Sequence, residues 1–115
     1  RVFINLFKNS IESLKEKHQK MGNFQKKIDV EIQLINDYII IDVQDNGIGF
    51  TNNDLRIFSK PYFTTKKEGS GLGLSIVEKI LNDHNGFIEF ISQKEGAKIK
   101  ILLPKYVNWN FNNWW

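Results

Sequence analysis

"IDVEIQLINDYIIIDVQDNGIGF", residues 28–50, is the stretch from which the fold is read. Ile28, Val30, Ile32 and Leu34 alternate with Asp29, Glu31 and Gln33, the two-residue period of a half-buried strand. Asn36-Asp37 is turn chemistry, and Tyr38–Asp45 is a second apolar run. Residues 27–35 and 38–45 therefore predict a hairpin. Upstream, residues 1–20 predict a helix in which Phe3, Ile4, Leu6, Phe7, Ile11 and Leu14 share one broad face. Asn5, Asn9, Glu12 and Glu16 run along the opposite face. Downstream, residues 46–53 are a polar loop, 54–58 a short helical turn and 59–70 a long irregular segment. From Gly71 to Asn85, Leu72, Ile76, Val77, Ile80, Leu81 and His84 keep helical spacing, and Gly86 is expected at C′ to end that helix. Strands at 87–92 and 97–103 follow, turning at Lys94–Gly96. Helix, strand pair, loop, helix, strand pair predicts the α/β class: a two-layer α/β sandwich with helices on one face of a largely antiparallel mixed sheet.

With 115 residues the chain forms one domain with a modest core. It contains no cysteine, which excludes a disulfide scaffold, a thiolate zinc site and thiol catalysis. The net charge of +3 is spread among acidic residues with no basic stripe, so nucleic acid is not an expected partner. No apolar run reaches the roughly 18 residues that a membrane helix needs. The chain opens inside a helical pattern with no signal peptide, which predicts a fragment of a longer protein, and the absence of cysteine fits the cytoplasm without fixing the compartment. Residues 105–115 hold all three tryptophans among asparagines and have no helical or strand period. They predict a separate aromatic tail, either poorly ordered or a contact surface for a partner.

Four stretches carry candidate chemistry. "GSGLGL" at 69–74 is neither a G-x-G-x-x-G fingerprint nor a P-loop, yet it opens a helix. Free amides and the helix dipole favour an anion there, with Lys66 and Lys67 upstream; a flexible turn is the competing reading. "DNGIGF" at 45–50 places Asp45, Gly47 and Gly49 at a strand end. An EF-hand reading of this loop fails, because with Asp42 at position 1, Gln44 and Asn53 fall at positions 3 and 12. Asp45 is either a turn former or a buried acceptor for an amine such as that of adenine. Asn5 and Asn9, one turn apart, offer hard neutral oxygen ligands suited to Mg²⁺, or simple solvation. Phe58, Tyr62 and Phe63 around Pro61 anchor either a satellite cluster or a lid.

Taken in this order, the four stretches resemble the ATP-binding catalytic domain of bacterial sensor histidine kinases, within the ATPase superfamily that includes Hsp90, gyrase B and MutL. "NLFKNSIES" resembles the family's N box, "DNGIGF" its G1 box, "FSKPYFTTK" its F box and "GSGLGLSIVEKI" its G2 box. The closing "HNGFIEFISQKEGAKIKILLP" resembles the final strand pair, so the resemblance spans residues 1–104. "PYFTTKKEGSGLGL" looks most like the nitrogen-regulation type. The resemblance implies a Bergerat-type fold, ATP and Mg²⁺ as cofactors, and transfer of the γ-phosphoryl group to a histidine on a separate dimerisation domain. A response regulator then receives it. The resemblance implies a homodimeric parent protein of a kind that can be anchored in a membrane, with this part in the cytoplasm.

By the same resemblance Asn9 holds the metal and Asn5 lines the phosphates. Asp45 reads adenine, with Gly47 and Gly49 letting the backbone approach the base. Gly69, Gly71 and Gly73 flank the triphosphate beside Leu72, Lys66 contacts phosphate, and Phe58 and Phe63 anchor the lid. Two departures stand out: Glu12 where relatives often carry a basic residue, and "HNG" where "HGG" is commoner. His18 and His84 lie outside any acceptor motif and are expected to be structural or solvated, so the fragment should not autophosphorylate alone. Two other functions stay open: an ATP-gated clamp of the Hsp90, gyrase or MutL kind, and a degenerate module that binds nucleotide or only a partner.

Overall fold

The computed structural model describes residues 1–50, 73–106 and 110–115. Twenty residues, Val2–Met21, form α1. The hairpin follows as β1 (Ile28–Ile35) and β2 (Tyr38–Asp45), in register from Ile28 opposite Asp45 to Ile35 opposite Tyr38. Asn36 makes the connection in the left-handed region at φ 55°, which asparagine tolerates better than most residues. Then come α2 (Gly73–Asp83), β3 (Phe87–Ser92), β4 (Ala97–Pro104) and a short α3 (Phe111–Trp114).

The four strands form one sheet in the order β1-β2-β4-β3, and each of the three pairings is antiparallel. β4 inserts between β2 and β3, so β2 and β4, the strands whose burial alternates, sit at the centre. Ile41 and Val43 of β2, with Ile99, Ile101 and Leu103 of β4, point to the helix layer and are buried. Val2 and Leu6 of α1 and Val77 and Leu81 of α2 close over them in one core cluster. The expected α/β sandwich is what forms, with no parallel strand pair among the described residues.

Three expectations change. The period-2 pattern of β1 marks a strand but not a half-buried one. Val30 is 47% exposed, Ile32 65% and Leu34 59%, because β1 is the sheet edge and α1 lies over β2 rather than over it. The apolar face of α1 likewise overruns the core: Ile4 and Ile11, on its far flank, are exposed.

The end of α2 also differs. The left-handed residue is Asn85 (φ 57°), and the Gly86 amide returns to the Leu81 carbonyl at 2.7 Å, so Asn85 occupies C′ and Gly86 follows it. Gly86 is required for space: a Cβ there would lie 2.9 Å from the Leu102 carbonyl oxygen. "HNG" thus supplies the helix stop through its asparagine.

The third change concerns the C-terminal segment. Trp114 is 4% exposed and joins the core cluster, its ring edge-on to His84 at 5.2 Å between centroids. His84 Nδ1 also lies 2.7 Å from the Ile80 carbonyl oxygen, which gives this histidine a structural place. At least one tryptophan of the segment therefore packs into the core cluster, while Tyr106 and Trp115 are exposed. Among the described residues no helix is long and apolar enough to cross a membrane.

Candidate functional site

β2 runs out of the sheet at Asp45, and the chain turns beneath α1. Asp45 points to the same side as Ile41 and Val43, so its carboxylate arrives in the helix layer only 6% exposed. Such a group is tolerated when donors surround it. The Gly47 amide donates to Asp45 Oδ1 at 2.9 Å, and Ser13 Oγ donates to the same oxygen at 3.4 Å. The Ser10 hydroxyl and the Ala97 amide are further donors to the carboxylate. Burial pushes the Asp45 carboxyl above its ordinary value of 3.8, and these hydrogen bonds oppose the rise without cancelling it.

The loop after Asp45 is fastened to α1 and to the start of β1. Ile48 N donates to both Ser13 Oγ (3.0 Å) and the Ser13 carbonyl oxygen (3.2 Å). Lys17 Nζ donates to the Asn46 carbonyl oxygen at 2.8 Å and lies over the Phe24 ring, 4.6 Å from its centroid. The Asn46 side chain accepts from Lys27 N at 2.8 Å and donates to the Gln25 carbonyl oxygen at 2.8 Å. Gly47 passes so close to α1 that a Cβ would fall 2.7 Å from the Ser13 carbonyl carbon. Gly49 takes φ +81° beside Gly96, whose carbonyl oxygen is 3.1 Å from where a Cβ would stand. Both glycines thus have packing reasons of their own, besides any approach to a ligand.

Asn5 and Asn9 share the flank of α1 turned toward α2. Asn5 Nδ2 donates to the Arg1 carbonyl oxygen at 2.8 Å. Its Oδ1 lies 3.2 Å from where a Cβ on Gly73 would stand, so the first residue of α2 leaves a gap beside Asn5 that a side chain would close. The structure thus brings Asn5 next to Gly73 and surrounds Asp45 from α1. Phe58, Phe63, Lys66, Gly69, Gly71 and Leu72 lie outside the described residues. Among the described residues no group of three or more His, Cys, Asp or Glu side chains gathers in metal-binding geometry. An Mg²⁺ ion here would depend on asparagine oxygens, phosphates and water, a donor set that such an ion accepts.

The residues missed by sequence reasoning are Ser10, Ser13, Lys17 and Asn46. A signal was present: Ser10 and Ser13 fall on the apolar side of α1, beside Leu6 and Leu14, where polar groups need partners.

Residues 1–107 match the family of histidine kinase-, DNA gyrase B- and HSP90-like ATPases. This chain belongs to that family. Among curated relatives, sporulation kinase E of Bacillus subtilis (strain 168) is 38% identical over 106 residues, covering 90% of this chain and 13% of that protein. The sensory histidine kinase/phosphatase NtrB of Azospirillum brasilense is 33% identical over 116 residues, covering 92% of this chain and 28% of the relative. The solved catalytic domain of histidine kinase ThkA, in a nucleotide-free form, superposes with a TM-score of 0.74 at 30% identity, over 90% of this chain and 64% of that one. The chain thus spans only a small part of the kinases it resembles. Within the ATPase family these similarities point to the ATP-binding catalytic domain of sensor histidine kinases, with sporulation and nitrogen-regulation kinases both represented.

Proposed function

We propose that this ATPase-family domain binds Mg-ATP between α1 and the start of α2 and donates the γ-phosphoryl group to a histidine on a separate dimerisation domain of the same kinase. The observation that carries this reading is Asp45: a carboxylate 6% exposed, ringed by hydrogen-bond donors, at the mouth of the helix layer. Such an acceptor suits the exocyclic amine of adenine and rejects the carbonyl that guanine has at that position. Asn9 would hold the metal, with Asn5 lining the phosphates and Gly73 leaving them room. Gly69, Gly71, Leu72 and Lys66 complete the phosphate side, and Phe58 and Phe63 anchor a lid. The metal, when bound, neutralises charge building up on the phosphates, and the protein supplies position and exclusion of water.

A response regulator is the expected downstream partner. The parent protein is proposed to be a membrane-anchored homodimer with this domain on the cytoplasmic side. A clamp ATPase is disfavoured by one residue. Those enzymes need a general-base Glu, typically one turn before the N-box asparagine, where this chain has Asn5.

Titration with ATP, with and without Mg²⁺, on wild type and Asp45→Asn tests the nucleotide site. Saturable, Mg²⁺-enhanced binding that falls roughly ten- to a hundredfold in the variant is expected, the value of one hydrogen bond to a charged group. No binding by the folded wild type would overturn the proposal. Phosphorylation of a supplied dimerisation domain then separates kinase from clamp: a folded, ATP-loaded sample that transfers nothing is not this kinase.

A further inference from the structure

We propose that Ser13 is a positioning residue for adenine selection: its hydroxyl ties the Asp45 carboxylate to the Ile48 amide and sets the direction in which that carboxylate accepts the 6-amino group. This rests on the reading above that Asp45 faces adenine.

A serine hydroxyl has one proton to give and lone pairs to receive. Here both capacities have a partner. Ile48 N donates to Ser13 Oγ at 3.0 Å, and Ser13 Oγ donates to Asp45 Oδ1 at 3.4 Å. The incoming amide leaves the hydroxyl proton to point at the carboxylate. Asp45 Oδ1 is then held from two sides, by the Gly47 amide of its own loop at 2.9 Å and by Ser13 from α1. With the Ser10 hydroxyl and the Ala97 amide as further donors, these contacts fix the plane of the carboxylate, and Ser13 is the one that also ties it to the loop through Ile48.

Ser13 is suited to this task for a further reason. Ile48 N also reaches the Ser13 backbone carbonyl oxygen at 3.2 Å, and Lys17 holds the Asn46 carbonyl oxygen at 2.8 Å. The loop therefore keeps attachments to α1 when the hydroxyl is removed, so Ser13→Ala separates carboxylate orientation from loop folding. Ser10 is less suited, being 3% exposed in line with Leu6 and Leu14.

The test compares Mg-ATP with the Mg²⁺ complex of purine riboside triphosphate, which has the same sugar and phosphates but lacks the 6-amino group. Wild type, Ser13→Ala, Ser13→Thr and Asp45→Asn are titrated calorimetrically, with urea midpoints measured alongside. Wild type should prefer ATP roughly tenfold, the worth of one charge-assisted hydrogen bond. Ser13→Ala should reduce that preference to about twofold while affinity for the analogue stays within about twofold. Ser13→Thr, which keeps the hydroxyl, should retain the preference, and adding Ser13→Ala to Asp45→Asn should change nothing further. A Ser13→Ala protein that weakens both nucleotides equally, or keeps the full preference, overturns the positioning role and leaves Asp45 as the reader of adenine. A wild type that binds both nucleotides equally removes the adenine role of Asp45, and this inference with it.

Discussion

Trp114→Ala tests whether the C-terminal segment is part of the domain. The indole is 4% exposed within the core cluster and meets His84 edge-on. A tryptophan side chain buries about 150–250 Å², and at about 25 cal/mol per Å² that is about 4–6 kcal/mol of gross transfer free energy. An internal Trp→Ala change usually costs about 3–5 kcal/mol. The cost here should be smaller, because α3 is a helix of only four residues, and its described hydrogen bonds run back to Asn110. We expect a loss of about 2–3 kcal/mol, or a melting temperature lower by roughly 10 °C. Urea unfolding followed by circular dichroism reads it, and deletion of residues 110–115 should cost about the same. A loss under about 0.5 kcal/mol in both proteins, within the range of ordinary surface substitutions, would show that the indole does not belong to the core.

Gly96→Ala should destabilise the domain by about 2–4 kcal/mol, since Gly96 stands at φ +87° and a Cβ would meet the Asp45 carbonyl and lie 2.7 Å from Asn46 Cα; an unchanged urea midpoint would contradict this. Asp45→Asn should change how the stability of the empty fold depends on pH. The folded-state value of Asp45 is raised by burial, so its charged form disfavours the native state, and that cost grows as pH climbs above 3.8. The neutral amide lacks this dependence, so the stability of the variant relative to wild type should rise from pH 4 to pH 7; a relative stability that falls over that range refutes the sign. Ile32→Thr and Leu34→Thr together should leave stability within about 0.5 kcal/mol, because both side chains are more than half exposed, and should lower self-association by light scattering. A loss above about 2 kcal/mol would mean that these side chains are buried after all.

Much of this domain was legible in its sequence, for a physical reason. Strands and helices announce themselves by period, and the periods of residues 28–45, 1–20 and 71–85 are strong. Asp45 could be singled out at a strand end before a glycine pair, but only as either a turn former or a buried acceptor. What period does not carry is which element covers which. Val30, Ile32 and Leu34 have the alternation of a buried face, yet the sheet order puts β1 at an edge. Ser13 and Lys17 act through the loop of residues 45–48, about thirty residues away, a pairing set by packing alone. Trp114 was hidden by composition: an asparagine-rich run with tryptophans has no period even when one ring is an anchor.

The exposed edge of β1 has a consequence for how the isolated domain behaves in bulk. An edge strand with a row of apolar side chains is a template on which a further strand can grow, the geometry from which cross-β stacks begin. Nothing like proline or a bulge interrupts Ile28–Ile35; only Asp29 and Glu31 act as gatekeepers along it. Sulfate and other salts that strengthen apolar burial should therefore drive this domain into ordered aggregates sooner than its modest hydrophobic content suggests. A single lysine in place of Ile32 would protect it in concentrated solution.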